Sequence, residues 1–328
     1  MTEAEPVLEI RDLRVTFPTE SGDVQAVRGV DVTVGPGELL GVVGESGSGK
    51  SVTFLAAMGL LPKSAKIEGS VKVHGKELVG VKNNEMRAQR GKRISMIFQD
   101  PLSALNPTHK IGHQVSEMIR AHNDMSKTAA LARAIELLDI VGIPQSKTRA
   151  MQYPHEFSGG MRQRVMIAIA IANDPDVLVA DEPTTALDVT VQAQILDVIQ
   201  RIQHQFRAGV VFITHDLGVV ARIADRVQVM YAGRTVERGD VNSIFRTPTH
   251  PYTRGLLASL PALGRERLTP IPGAPPNMLR PPSGCAFRPR CPFATEVCAG
   301  DVPELHPLLG LETACVRAEE LLPVEGAA

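Results

Sequence analysis

The chain has 328 residues, 43% hydrophobic and 22% charged, the balance of a globular protein long enough for two or three domains. Its 35 basic and 36 acidic side chains leave a net charge of −1, so composition gives no electrostatic case for nucleic acid as a partner. No apolar run reaches the roughly 18 residues of a membrane-crossing helix. Met1-Thr2-Glu3-Ala4-Glu5-Pro6 is acidic rather than leader-like, so the expected place is the cytosol, with docking on a membrane partner open.

In chain order, Val7 to Phe17 and Gln25 to Val34 alternate and are punctuated by Gly22-Asp23 and Gly35-Pro36-Gly37, the pattern of antiparallel strands. Leu39 to Val43 predicts a short buried strand, and Ser51 to Leu61 an apolar helix. Ser70 to Gly75 predicts another strand. Ile94 to Phe98 predicts a buried one ending in the polar Gln99. From Asp100 to Ala172 the pattern turns helical, with helices over Ile111–His122 and Lys127–Val141 and a stop at Gly142. Val177 to Ala180 and Val210 to Ile213 are continuous apolar runs, suited to central strands of a parallel sheet, with a crossover helix over Val191–Phe206. Val227–Tyr231 and Arg234–Arg238 predict a hairpin around Ala232-Gly233. Thr269 to Pro289, rich in proline and glycine, predicts an extended, loop-built appendage. There is no internal repeat.

The strand over Leu39–Val43 runs into Gly44-Glu45-Ser46-Gly47-Ser48-Gly49-Lys50-Ser51, which fits the phosphate-loop pattern G-x-x-x-x-G-K-[ST]. Gly44, Gly47 and Gly49 let successive N–H groups turn inward onto phosphate oxygens, and the helix start adds its positive dipole end. Lys50 is expected on the β- and γ-phosphates and Ser51 on Mg²⁺. The plainer alternative, a glycine-rich turn with one lysine, does not explain an eight-residue match between strand and helix. About 130 residues on, Val177 to Ala180 ends in Asp181-Glu182. Asp181 can hold Mg²⁺ through water and Glu182 can polarise an attacking water. Phe157-Ser158-Gly159-Gly160-Met161-Arg162-Gln163 places Ser158 as a helix N-cap, with two glycines leaving the first N–H groups bare. An apolar stripe at Met161, Val165, Ala168, Ile169 and Ala172 follows. Alone this is a capped helix. A second anion site makes sense if it serves the nucleotide of another subunit.

These motifs, in this order over residues 7–240, resemble the ATP-binding subunit of an ABC transporter. Gly44 to Ser51 looks like its Walker A, Val177 to Glu182 its Walker B, Ser158-Gly159-Gly160 its signature motif and Ala186-Leu187-Asp188 its D-loop. Gln99 resembles the Q-loop glutamine, placed to sense Mg²⁺ or water. His215, in Ile213-Thr214-His215-Asp216, resembles the switch histidine that bonds the γ-phosphate, and Phe17 the aromatic that stacks on adenine. The departures are Met161 and Phe157, where the common signature has glutamine and leucine; the backbone donors are untouched by them.

The tail narrows the resemblance. His250-Pro251-Tyr252-Thr253-Arg254, Pro272-Gly273-Ala274-Pro275-Pro276, Pro282-Ser283-Gly284-Cys285 and Arg290-Cys291-Pro292 are similar to oligopeptide/dipeptide importer ATPases, as is Asp100 to Pro107; nickel importers carry similar tails. The four cysteines, Cys285, Cys291, Cys298 and Cys315, cluster in this tail, which favours a metal over disulfides in a reducing compartment. Zinc sites more often use C-x2–4-C pairs. The longer gaps and Pro292 suit a [4Fe-4S] cubane somewhat better, with Zn²⁺ and plain buried thiols as alternatives. The resemblance points to the cubane too.

The resemblance implies an α/β, P-loop NTPase fold: an ATPase core with an antiparallel β subdomain over 1–98 and 173–240, a helical insertion over 99–172 and a cysteine-bound appendage over 241–328. It implies ATP hydrolysis with Lys50 on the phosphates, Mg²⁺ on Ser51, Asp181 and Gln99, Glu182 acting on water and His215 supporting it. It implies a related ATPase partner paired head to tail, two membrane permeases docking near Gln99–Gln114, an external peptide-binding protein, and a peripheral place on the cytoplasmic side of the plasma membrane. A soluble ABC ATPase of DNA repair or translation is the competing class. Those carry long coiled-coil insertions or duplicated cassettes, which this chain lacks.

Overall fold

Leu39-Leu40-Gly41-Val42-Val43 is buried at every position in the computed structural model, which describes residues 5–185, 187–260 and 270–322. A strand apolar on both faces has to be central and covered on both sides. It is the third of twelve strands among the described residues. β1 (Leu8–Thr19) and β2 (Gly22–Val34) precede it, and α1 (Lys50–Ala57), β4 (Lys66–Val73), β5 (Lys76–Glu77), α2 (Asn83–Gln89) and β6 (Ile94–Ile97) follow it. A helical stretch comes next: α3 (Pro101–Ala104), α4 (Ile111–His122), α5 (Lys127–Ile140), α6 (Ser146–Arg149) and α7 (Gly159–Ala170). Then come β7 (Val177–Asp181), α8 (Val189–Phe206), β8 (Gly209–Thr214), α9 (Leu217–Ile223), β9 (Arg226–Tyr231) and β10 (Arg234–Asp240). The tail adds α10 (Val241–Arg246), α11 (Pro251–Ala258), β11 (His306–Leu308) and β12 (Leu311–Thr313).

The chain divides into two compact units. One comprises residues 5–9, 33–39 and 72–212. Here β6 pairs parallel with β7, Ile94 opposite Val177 and Ile97 opposite Ala180. α3, α4, α5, α8 and β6 all pack on α7. That changes the expectation for α7. It is buried at Val165, Met166, Ile167, Ala168 and Ala170, on more than one face, rather than along one stripe. Ile169, placed on the stripe by spacing, is only half-buried. A helix surrounded by four others and a strand has no single core face. α5 starts at Ser126, whose Oγ accepts from the Ala129 N–H, and stops at Gly142 with φ +75°.

The other unit comprises residues 10–32, 40–71 and 213–322. β3 pairs parallel with β9, β9 antiparallel with β10, β10 with β12 and β12 with β11. β1, β2 and β4 lie almost wholly in this unit as an antiparallel sheet in the order β2-β1-β4. A Cβ on Gly69 would lie 2.5 Å from the Asp12 carbonyl oxygen, so β4 approaches β1 this closely only through a glycine. α1 is shorter than expected. It ends at Ala57 because Gly59 turns left-handed (φ +58°), and the Leu60 N–H reaches back to the Leu55 oxygen (2.9 Å). The extended tail is loop-built over 270–287 as expected, but it also supplies the β11–β12 hairpin. Thr269 and Met1–Ala4 of the sequence motifs lie outside the described residues.

Candidate functional site

Two contacts force the loop between β3 and α1. A Cβ on Gly44 (φ +152°) would lie 2.2 Å from the Met230 carbonyl oxygen, and one on Gly49 (φ +96°) 2.6 Å from that of Ala26. Only glycine fits at either place. Gly47 (φ +78°) meets nothing within 4 Å, so there the loop faces open space. α1 starts at Gly49 without a side-chain cap bond, and its N-terminal dipole end faces the loop. Lys50 is 5% exposed. Its Nζ donates to the oxygens of Gly44 (2.7 Å) and Glu45 (2.9 Å) and to Ser48 Oγ (3.3 Å). Its ammonium is thus held over the loop. Ser51 begins the helix beside it, half-buried.

Glu45 is tied from elsewhere. Its N–H donates to Tyr252 Oη at 2.8 Å, and its carboxylate accepts both arms of Arg290, at 2.6 and 2.9 Å. Both partners come from the tail, and sequence reasoning assigned neither to the site. The accepting Tyr252 oxygen belongs to a phenol whose ionisation burial pushes well up, and Glu45 holds the Arg290 guanidinium firmly charged.

In the other unit β7 delivers Asp181, 8% exposed, to its end. Glu182 follows at φ +47°, in a conformation rare for a residue with a side chain and unfavourable before Pro183. Its Oε2 accepts from Gln99 Nε2 (3.0 Å) and Thr185 Oγ1 (2.9 Å). Gln99, two residues beyond β6, therefore bonds the carboxylate directly. Thr185 was not a sequence candidate. Asp188 caps α8, its Oδ1 accepting from the Val191 N–H (3.0 Å). Ala186 of the same motif lies outside the described residues.

Ser158 caps α7 as its position predicts, Oγ accepting from the Met161 N–H (3.3 Å). The two glycines behind it differ. A Cβ on Gly159 would meet nothing within 4 Å, whereas one on Gly160 would lie 2.5 Å from Val191 Cγ1 of α8. Gly160 has a packing reason; Gly159 is open to a ligand. Phe17 lies half-buried on β1, and His215 is exposed directly after β8, in the turn where Asp216 caps α9. The phosphate loop, Phe17 and His215 thus belong to one unit, and Gln99, Ser158–Gly160, Asp181 and Glu182 to the other.

In the tail, Cys285, Cys291, Cys298 and Cys315 line one pocket with His250 and Phe287. All four are free thiols, Cys298 and Cys315 buried. Burial pushes up the thiols of Cys285 and Cys291, and that of Cys315 to about 11. The neighbouring sulfurs act in the same direction. A group of converging thiols that resists ionisation is one that a cation would relieve. No three of these sulfurs lie mutually within 4.8 Å; among the described residues His109, His113 and Glu117 on the exposed surface do so.

The chain matches the model of the ABC transporter family over residues 27–185 and that of the oligopeptide/dipeptide transporter C-terminal region over residues 236–298. It belongs to the ABC transporter family, as an ATP-binding cassette followed by that C-terminal region. It is 51% identical to the "Oligopeptide transport ATP-binding protein OppD" of Salmonella typhimurium, over 97% of this chain and 96% of that one. Against the protein of that name from Bacillus subtilis it is 54% identical, over 89% of this chain and 83% of that one. It is also 54% identical to the one from Mycobacterium tuberculosis, but spans only about half (52%) of that relative's length. The structure resembles the "Dimeric Structure of MJ0796, a Bacterial ABC Transporter Cassette", with a TM-score of 0.64 and 26% identity over 71% of this chain and 98% of that one. The P-loop NTPase fold expected from the motifs is the fold found.

Proposed function

We propose that this chain is the ATP-hydrolysing subunit of a bacterial ABC importer for oligopeptides or dipeptides. The observation that carries the reading is the glycine-forced loop around a buried Lys50, in a chain that aligns almost end to end with a relative named for oligopeptide transport. Phosphate oxygens would take the place of the Gly44, Glu45 and Ser48 oxygens around Lys50 Nζ, and the start of α1 would add N–H donors and its dipole. Mg²⁺ would neutralise charge on the phosphates. Ser51, Asp181 and Gln99 offer the hard oxygen donors that suit it. Glu182, held by Gln99 and Thr185, would orient and polarise the attacking water, with His215 on the γ-phosphate. Phe17 would stack on adenine.

Ser158, Gly159 and Gly160 would complete the nucleotide site of a second, related ATPase subunit. The pair would sit on two permeases at the cytoplasmic face of the membrane, fed by an external peptide-binding protein. No helix of the described residues is long and apolar enough to cross a membrane, so attachment would come from those partners. The division into a core over 1–98 and 173–240, a helical insertion over 99–172 and a tail over 241–328 serves this reading: the insertion carries Ser158–Gly160 and the Gln99–Gln114 surface offered to the permeases.

The test is Glu182→Gln in the assembled complex. ATP binding is expected to persist while turnover falls about 100-fold or more, the range for losing a positioned general base. Normal turnover removes Glu182 from the role. Stimulation of the wild-type complex by peptides supports the cargo; stimulation by nickel replaces it. Recruitment to membranes without co-expressed permeases, or no recruitment with them, rejects the importer.

We infer further that the four thiols hold a [4Fe-4S] cluster. The four thiols line one pocket, and the gaps of 5, 6 and 16 residues between them are longer than the C-x2–4-C pairs of structural zinc sites. Metal analysis after anaerobic purification is expected to find about four irons per chain. Stoichiometric zinc overturns the cluster and leaves the ATPase untouched.

A further inference from the structure

The first two residues of the phosphate loop are fixed by parts of the chain far from it in sequence. Gly44 rests on the Met230 carbonyl, one residue before Tyr231 at the end of β9. Glu45 is gripped at its backbone N–H by Tyr252 of α11 and at its carboxylate by Arg290, which lies between Cys285 and Cys291. Tyr231, Tyr252 and Phe287 form one aromatic group, with ring centroids 4.5 to 5.3 Å apart. The Arg290 guanidinium carbon lies 5.8 Å from the Tyr231 ring centre.

Arg290 is built for this single arrangement. Its side chain is 4% exposed, that of Glu45 27%. Each of its five donors has an acceptor: Nε–H the Pro272 oxygen (2.8 Å), Nη1 the Glu45 carboxylate and Tyr231 Oη (3.3 Å), Nη2 the other Glu45 oxygen and, at a long 3.5 Å, the Ile271 oxygen. A planar fork with every donor satisfied has one orientation. The grip falls on the residue whose own carbonyl accepts from Lys50 Nζ and from the Ser48 N–H (3.2 Å). Gly47, two residues on, meets nothing within 4 Å. The loop is therefore clamped where it leaves β3 and open where a phosphate would enter.

We propose that Arg290 and Tyr252 are positioning residues for the nucleotide: by holding Glu45 they preset the phosphate loop, so that the C-terminal tail sets the affinity for ATP. The inference rests on residues 44–51 being a nucleotide site. A loop whose shape is fixed before binding loses less freedom on binding. Without the fork, Glu45 keeps its place in the sequence but not its direction. The loop then has to be ordered by the ligand.

The experiment is a double-mutant cycle on the full chain, read as the dissociation constant of a fluorescent ATP analogue, with the melting temperature and tail metal content of every variant. Glu45→Gln and Arg290→Gln are each expected to weaken binding about tenfold or more, the worth of a charge-assisted hydrogen bond. The double variant is expected to be little worse than either single one, because both remove one interaction. Tyr252→Phe keeps the ring packing and removes the acceptor for the Glu45 N–H. It is expected to weaken binding about three- to tenfold with the melting temperature nearly unchanged, and it decides the matter if Arg290→Gln fails to fold. In the assembled complex Tyr252→Phe is expected to raise the KM for ATP more than it lowers kcat. Lys50→Ala separates the two layers. If wild type and Lys50→Ala bind equally, the nucleotide reading fails. If Lys50→Ala loses binding while Arg290→Gln and Tyr252→Phe bind as wild type, or Glu45→Gln and Arg290→Gln add fully, the clamp is wrong and the nucleotide site stands.

Discussion

α1 follows a loop with glycines at 44, 47 and 49, α7 opens on the pair Gly159-Gly160, and both helix starts suit an anion, yet they are built differently. α1 has no side-chain cap, a buried lysine and two glycines pinned against carbonyl oxygens. Its entry loop is held close to those oxygens, and the cation is in place. α7 has Ser158 occupying one of its N–H groups, an Arg162 guanidinium turned onto the Phe157 oxygen, and a Gly159 whose Cβ would meet nothing within 4 Å. A phosphate cradle needs concentrated charge and a fixed backbone. α1 has both within its own unit; α7 offers a partial site that gains meaning from a nucleotide held by another chain.

Four substitutions press on that difference. The largest effect is expected from Lys50→Ala, which should lower ATP affinity of the isolated chain about 100-fold or more through loss of charge-assisted contacts. Retained tight binding would mean that the nucleotide does not sit at this loop. Gly159→Asp separates a helix cap from an anion site. The open space accepts the side chain, and an acid in the first turn should stabilise α7 by about 0.5 kcal/mol. If α7 faces phosphate in the assembled pair, turnover there should fall about 10- to 100-fold by repulsion, while the melting temperature holds or rises. Full turnover would leave Gly159 with a capping role only.

Gly160→Ala addresses packing instead. Its Cβ would meet Val191, and the expected cost is about 1–3 kcal/mol of stability, measured by urea unfolding. Adding Val191→Ala should recover most of it; no recovery would place the strain elsewhere. The smallest effect is expected from Ser158→Ala, about 1 kcal/mol for a lost N-cap, seen as a lower melting temperature. An unchanged melting temperature would mean that water serves the Met161 N–H equally well.

Where a stretch carried its own periodicity and its own stop, the fold was legible. α4 runs over Ile111–His122 as read, α5 stops one residue short of Val141, and the β9–β10 hairpin turns at Ala232-Gly233. α1 was overrun by several residues because its apolar run continues past Gly59, and only the left-handed turn there ends the helix. The β11–β12 hairpin was missed for a different reason. Its strands are three residues each, and its turn places Leu309 (φ +51°) before Gly310, where a leucine gives no turn signal. The pairing of Glu237 with Thr313 on β10 supports those strands, and no local pattern announces a partner so distant in the chain.

The sequence by itself determined the class of protein and its chemical groups. Gly44 to Ser51, Ser158 to Gly160, Asp181-Glu182 and the four cysteines are local patterns, each legible because its chemistry demands particular residue types at particular spacings. Only the tertiary structure decided which glycine is needed for what, that Gln99 and Thr185 hold Glu182, and that Arg290 and Tyr252 grip Glu45 from more than 200 positions away. The reason is physical. A spacing rule reports contacts the backbone makes with its near neighbours, whereas a buried fork such as Arg290 takes its meaning from acceptors that folding brings to it.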